Sequence, residues 1–249
     1  MKKTKMKKSE VESPEEIISS CIEQRKRLLA GIGGAFDVNK EAFRCAFNNF
    51  PSHWAISLSG EPTIYPRLGE LVKALRKRKE VRSIFIVTNG QEPDRISQMA
   101  NDNVLPTQFY LSLVAPDARL FRIINRPAYA DGWERLNKTI SLFPKLICRR
   151  VVRLTLIKGI NDKEQHLKNF AKLLERSKTD FIEVKAYMFL GLSRQRLKKE
   201  NMPLHEEIRQ WSKKLLGNLN NYEIVEEDSA SRIVLFRRIS SRYEMLIQT

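Results

Sequence analysis

A carboxylate just past a short apolar strand is the first feature of this chain that could do chemistry. It lies in Ile56-Ser57-Leu58-Ser59-Gly60-Glu61-Pro62-Thr63-Ile64-Tyr65-Pro66. Trp54 to Leu58 reads as a strand and Ser59-Gly60-Glu61-Pro62 as a turn. Leu68 to Lys79 reads as an amphipathic helix with Leu68, Leu71, Val72 and Leu75 on one face. That is the first half of a βαβ unit, with Glu61 at the strand's C-terminal end. Loops at that edge of a parallel sheet can carry polar groups while the strands below stay packed, so ligands bind there. From these residues alone two readings of Glu61 stand: a ligand-binding carboxylate, or an ordinary strand-to-helix turn.

Other polar residues sit where the same logic applies. Ile84-Phe85-Ile86-Val87 is continuously apolar, as in a sheet covered on both faces, and ends in Thr88-Asn89-Gly90. Asn-Gly is by itself only a tight turn, but at this edge it brings Thr88 and Asn89 beside Glu61. Ser112 interrupts the strand Phe109 to Val114, either as a buried serine bonded to backbone or as a contact to a ribose or carboxylate. Arg153 and Thr155 share a face of the strand Val151 to Ile157, by period-two spacing. A buried arginine there needs an acid or a carboxylate-bearing ligand opposite it. Glu183, Lys185 and Tyr187 share a face of Phe181 to Tyr187, which implies a ligand cavity or an internal Glu–Lys pair. Between these strands, Gly159-Ile160-Asn161-Asp162 makes an exit turn, with Asp162 expected to cap a helix Lys163 to Ser177 and Gln165 to complete the box.

The elements that must hold these residues alternate between strand and helix. Ser13-Pro14-Glu15-Glu16 combines an N-cap, a first-turn proline and a capping-box glutamate for a helix that ends at Gly31-Ile32-Gly33-Gly34. Ile17, Ile18, Cys21, Ile22, Leu28 and Leu29 are expected on its inward face, Cys21 as a small buried hydrophobe. Helices are also expected over Lys40 to Asn48, Trp133 to Phe143 and His205 to Leu216, with Asn125 to Gly132 an irregular loop. Tyr222 to Val225 and Ile233 to Arg237 read as a closing antiparallel pair around Glu226-Glu227-Asp228. Residues 1–12 are expected as a basic disordered tail and 13–249 as one domain. The fold class is α/β, a partial parallel barrel.

Composition narrows the partner. The chain has 45 Lys and Arg against 29 Asp and Glu, a net charge of +16 suited to a polyanion such as RNA. Arg194, Arg196, Lys198 and Lys199 crowd into one short segment after the last parallel strand and are the candidate RNA contacts. No apolar run is long enough to span a membrane, and the basic start is followed by acids rather than an apolar stretch. No membrane association and a cytoplasmic location are therefore expected. Three cysteines, Cys21, Cys45 and Cys148, are spaced for neither a disulfide framework nor a metal knuckle. No metal ligand is assigned in the chain, and the scattered His53, His166 and His205 are read as structural or exposed.

Ser59-Gly60-Glu61-Pro62-Thr63-Ile64-Tyr65-Pro66 resembles the Gly-Gly-Glu-Pro segment of radical S-adenosylmethionine (SAM) enzymes. Val151-Val152-Arg153-Leu154-Thr155-Leu156-Ile157-Lys158-Gly159 and Glu183-Val184-Lys185-Ala186-Tyr187-Met188-Phe189-Leu190-Gly191 narrow the resemblance. With Ser193-Arg194-Gln195-Arg196-Leu197 and Asn201-Met202-Pro203, they are similar to the tRNA 4-demethylwyosine synthase family, from about Pro14 to Arg238. The resemblance implies a radical SAM barrel in which Ser59, Gly60, Glu61, Pro62, Thr88, Asn89, Ser112, Arg153, Asn161, Lys185 and Tyr187 line the SAM site. Glu61 would meet the ammonium, Thr88 and Asn89 the methionine end, Ser112 the ribose, Arg153 the carboxylate, and Asn161 and Tyr187 the adenine side. It implies tRNA and pyruvate as substrates, pyruvate carbons being condensed with N1-methylguanosine beside the anticodon.

The family's first strand and its Cys-x3-Cys-x2-Cys loop, which holds a 4Fe-4S cluster, have no counterpart here, nor has its Schiff-base lysine. Thiolates are what such clusters take, and Cys21, Cys45 and Cys148 do not converge on one loop. The expectations are a split gene whose second polypeptide carries that loop, a truncated reading of a normal enzyme, or a non-catalytic tRNA-binding relative.

Overall fold

The computed structural model describes residues 8–57 and 60–247, with Leu58 and Ser59 outside the described part. Seven strands form one mixed sheet in the order β1-β2-β3-β4-β5-β7-β6. The strands are β1 (His53–Ile56), β2 (Ser83–Thr88), β3 (Gln108–Leu113), β4 (Arg149–Leu156), β5 (Phe181–Ala186), β6 (Tyr222–Asp228) and β7 (Ile233–Arg238). The first five run parallel in sequence order, and the last two add an antiparallel edge. The sheet is open, the partial barrel of the radical SAM type expected from the sequence.

The helices are α1 (Pro14–Ala30), α2 (Lys40–Asn48), α3 (Leu68–Arg76), α4 (Pro93–Asn101), α5 (Ala118–Asn125), α6 (Gly132–Leu142), α7 (Leu167–Ser177) and α8 (His205–Leu216). The main hydrophobic core takes alternate strand residues. Ile84 and Ile86, Phe109 and Leu111, Val152 and Leu154, and Ile182 and Val184 all belong to it, together with Leu71, Leu75, Leu136, Phe170 and Trp211 from the helices. Period-two alternation therefore leaves Val87, Tyr110, Ser112, Arg153, Thr155, Glu183 and Lys185 on the opposite, inner face. Arg149 marks the lower end of that face: its guanidinium lies 4.1 Å from the Phe181 ring centroid and donates to the carbonyls of Glu244 and Met245, drawing the C-terminal segment across it.

Several expectations change. Cys21 is exposed rather than buried, and Leu28 is 77% exposed, because α1 meets the core only along Pro14, Ile17, Ile18 and Ile22. Asp162 caps no helix; its carboxylate accepts from Gly159 N at 2.8 Å and closes the exit turn, while residues Glu164–His166 form a 3-10 turn leading into α7. Of the expected tail, residues 1–7 lie outside the described part, but Lys8–Glu10 is a 3-10 turn and Glu12 accepts a hydrogen bond from the Tyr65 hydroxyl, so it is partly ordered. The acids Glu226, Glu227 and Asp228 belong to β6 rather than to its loop. Helices α4 and α5 have no named counterpart among the elements expected from the sequence.

Candidate functional site

At the C-terminal edge of β1 and β2, Glu61 ties two strand exits together. Its Oε1 accepts from Thr63 N at 3.0 Å, the Thr63 hydroxyl at 2.6 Å and the Thr88 hydroxyl at 2.7 Å, and its Oε2 accepts from Asn89 N at 2.7 Å. Thr88 in turn accepts from Gly90 N at 3.0 Å. Thr63 and Thr88 are buried while Glu61 is half-buried and Asn89 exposed, so the cluster is fixed from below and open above. Gly90 is required: its φ is +73°, and a Cβ there would come within 2.7 Å of Leu111 Cδ1. Gly60 sits at φ +85° with nothing within 4 Å of a built Cβ, leaving its backbone open. Pro62 opens a 3-10 turn, Pro62–Ile64. Ser59, the remaining member of this segment, lies outside the described residues.

Across the inner face, Ser112, Arg153 and Glu183 stand in register on neighbouring strands, with Thr155 opposite Lys185 one pair nearer the edge. Glu183 accepts from Arg153 Nε at 2.7 Å and Nη2 at 3.3 Å, and the guanidinium lies 4.9 Å from the Tyr110 ring centroid. The buried Glu183 thus pairs with Arg153, and the Glu183–Lys185 pair left open by the sequence does not form. Arg153 keeps Nη1 free, and Lys185, half-buried, has no hydrogen-bond or ion-pair partner among the described residues. Burial, and then the Glu183 charge, push the Tyr110 hydroxyl above its ordinary pKa, so it is a neutral donor at physiological pH.

Two of the proposed ligand contacts are spent on the loops. Asn161, 0% exposed, donates to the carbonyls of Val114 at 2.8 Å and Thr155 at 2.9 Å and accepts from Ile157 N at 2.6 Å. Its side chain holds the β3 and β4 exits together, with its amide bonded to backbone on both sides. The Tyr187 hydroxyl lies 2.8 Å from Ser193 Oγ and anchors the segment bearing Arg194, Arg196, Lys198 and Lys199, all four exposed. That segment lies in 3-10 turns and is pinned to the β4 exit through Asn201, which exchanges two 2.9 Å hydrogen bonds with Lys158. Sequence reasoning missed Tyr110, which the period-two argument used for Ser112 would have found, and Thr63, whose role depends on how the turn folds.

The donor set can be tested against the groups a radical SAM protein uses. The mouth fits SAM, offering a carboxylate whose Oε2 accepts a single bond, a free ammonium at Lys185 and an open backbone at Gly60. The cysteines do not fit an iron–sulfur cluster: Cys21 and Cys45 are exposed on α1 and α2, and burial pushes the Cys148 thiol up to about 12. Among the described residues no three His, Cys, Asp or Glu side chains come together to hold a metal ion.

Residues 37–171 match the radical SAM superfamily model and residues 176–238 the model of wyosine base formation. The chain is 43% identical over 227 residues to the S-adenosyl-L-methionine-dependent tRNA 4-demethylwyosine synthase of Pyrococcus abyssi, covering 91% of this chain and 65% of that protein. It is 37% identical to the Methanocaldococcus jannaschii synthase, covering 94% of this chain and 71% of that one. The chain belongs to the tRNA 4-demethylwyosine synthase family. A solved structure of TYW1 with a lysine–pyruvate adduct bound matches this fold with a TM-score of 0.79 at 35% identity, covering 92% of this chain and 71% of that one. The matched wyosine segment contains Glu183, Lys185 and the basic segment. The chain therefore spans about two thirds of the length of these relatives. No helix among the described residues is long and apolar enough to cross a membrane.

Proposed function

We propose that this chain is the SAM- and tRNA-binding part of a cytoplasmic enzyme that builds a wyosine base, condensing pyruvate carbons with N1-methylguanosine beside the anticodon. The observation that carries the reading is the Glu61 cluster, a carboxylate held by Thr63, Thr88 and Asn89 at the C-terminal sheet edge, where ligands of parallel α/β folds bind. Glu61 would receive the ammonium through Oε2, Thr88 and Asn89 would border the methionine end, and Ser112 the ribose. Lys185 and the free Nη1 of Arg153 would face the carboxylate, since both cations lie on the inner face with bonding capacity to spare. SAM, when bound beside a reduced cluster, supplies a 5′-deoxyadenosyl radical. The cluster ligands are assigned to a segment not contained in this sequence, on a second polypeptide or in a longer form of the chain.

Arg194, Arg196, Lys198 and Lys199 would grip the tRNA backbone beside the mouth, through which the target base has to pass. The alternative of a non-catalytic tRNA-binding relative is disfavoured by the inner-face charges, which cost stability to keep without a ligand. The test is anaerobic incubation with SAM, a reductant, pyruvate and tRNA. Modified tRNA and 5′-deoxyadenosine are expected only when a polypeptide carrying Cys-x3-Cys-x2-Cys is added. A stable cluster of about four irons on this chain alone would overturn the assignment of its ligands.

A further inference from the structure

Helix α5 and the residue that follows it carry three arginines and no acid. Many arginines elsewhere have acids: Arg150 pairs with Asp180, Arg153 with Glu183, Arg135 with Asp131, Arg67 with Glu70 and Arg78 with Glu15. Arg119, Arg122 and Arg126 on and just after α5 are exposed, and none has an ion-pair partner among the described residues. Arg119 and Arg122, at i and i+3, share one face of the helix, and Arg126 is the left-handed cap that follows it, at φ +47°. Exposed Ile123 lies on the same face, and no acidic residue occurs between 118 and 126.

Contacts at both ends place α5 beside the strand exits. Arg119 and Lys163, the latter on the β4 exit, line one cavity of about 300 Å³. Asp117, the acid in that cavity, accepts from Leu120 N at 2.9 Å and caps α5. At the other end Arg196 Nη1 donates to the Ile124 carbonyl at 3.2 Å, joining α5 to the basic segment after β5. The loop after α5 returns to the β2 exit, where Gln91 Nε2 donates to the Gly132 carbonyl at 2.8 Å. Lys163, Arg119, Arg122, Arg126 and Arg196 thus form one cationic track across the strand exits.

We propose that α5 and its cap form a second RNA-binding surface, gripping the phosphate backbone of the tRNA alongside the basic segment. This rests on the tRNA reading above and adds which element carries the backbone. Exposed guanidinium groups without acids suit phosphates, which they can meet without breaking an ion pair. The track has no aromatic stacking surface and makes its contacts by charge, so it positions the strand without reading sequence.

The test is the salt dependence of binding of a fluorescent anticodon stem-loop RNA to the full chain, its R119Q/R122Q/R126Q variant and a K73Q/R76Q/K77Q control. The control removes as many exposed charges from the end of α3, at the opposite edge of the sheet. Loss of three phosphate contacts flattens the log–log salt slope by about 2–3 units and weakens binding on the order of 10²-fold at 0.1 M salt. The expected result is that change in the α5 variant, with the control's slope close to the parent's. Equal slopes for parent and α5 variant, or an equal loss in the control, overturn the α5 surface while leaving the tRNA reading standing. A parent chain that does not bind the RNA overturns both.

Discussion

Replacing Glu61 by Ala strips the acceptor from four donors at once: Thr63 N, the Thr63 and Thr88 hydroxyls, and Asn89 N. The hydroxyls can turn to other acceptors, but the two amides are fixed by the backbone. Unsatisfied donors next to a lost charged acceptor cost about 1–3 kcal/mol each, and the open rim lets water offset part of this, so about 2–4 kcal/mol is expected. For a chain of this size that lowers Tm by roughly 4–16 °C. Glu61→Gln is a finer instrument. Its carbonyl can serve the three donors at Oε1, but its amide then faces Asn89 N, donor against donor, for a loss of about 1–3 kcal/mol. Thermal unfolding followed by circular dichroism should rank parent, E61Q and E61A in falling order. If E61A melts within about 2 °C of the parent, the cluster is not the clasp described here. The ranking also decides the ligand experiments, because a lost SAM signal in E61A would mix binding with stability, whereas E61Q separates them.

The buried Arg150–Asp180 pair, in which Asp180 accepts from Arg150 N and Nε at 2.9 Å and from Nη2 at 2.8 Å, should cost about 3–5 kcal/mol when cut by Asp180→Ala, a drop near 10 °C in Tm. A shift under about 3 °C would show that water repairs it. Native thiol titration at pH 8 should label Cys21 and Cys45 and spare Cys148, whose pKa of about 12 keeps it protonated below that value; rapid labelling of all three would contradict its burial. Changing Arg194, Arg196, Lys198 and Lys199 together to Ala should flatten the salt dependence of tRNA binding by roughly three units, and an unchanged slope would place the tRNA elsewhere.

The parallel strands were legible because continuous apolar runs end in turns with Gly, Asn or Pro, as Ile84 to Gly90 shows. Glu61, Thr88 and Asn89 were legible as neighbours because consecutive parallel strands put their exits side by side. Period-two spacing placed Arg153 and Glu183 on the inner face, but it could not reveal that they would pair. That depends on the register between β4 and β5, which only the folded sheet sets. Asn161 read as a ligand contact because a turn asparagine at the mouth looks the same in sequence whether its amide faces a ligand or the backbone. Cys21 misled because α1 packs along one narrow line, and helical periodicity gives the direction of an apolar face but not its width. α5 went unseen because it is only eight residues long and Arg119 and Arg122 break up its apolar pattern.

Binding of SAM at Glu61 and the β2 exit can be read from amide chemical shifts in an isotopically labelled chain titrated with SAM. NMR of this kind detects weak binding, so loss of the affinity a cluster would add does not hide the result. Saturable shifts are expected at Asn89, Gly90 and Thr63, with smaller ones at Ser112 and Lys185, and their loss in folded E61Q. Shifts confined to other surfaces, or Asn89 and Gly90 shifts that persist unchanged in E61Q, would contradict SAM binding at Glu61.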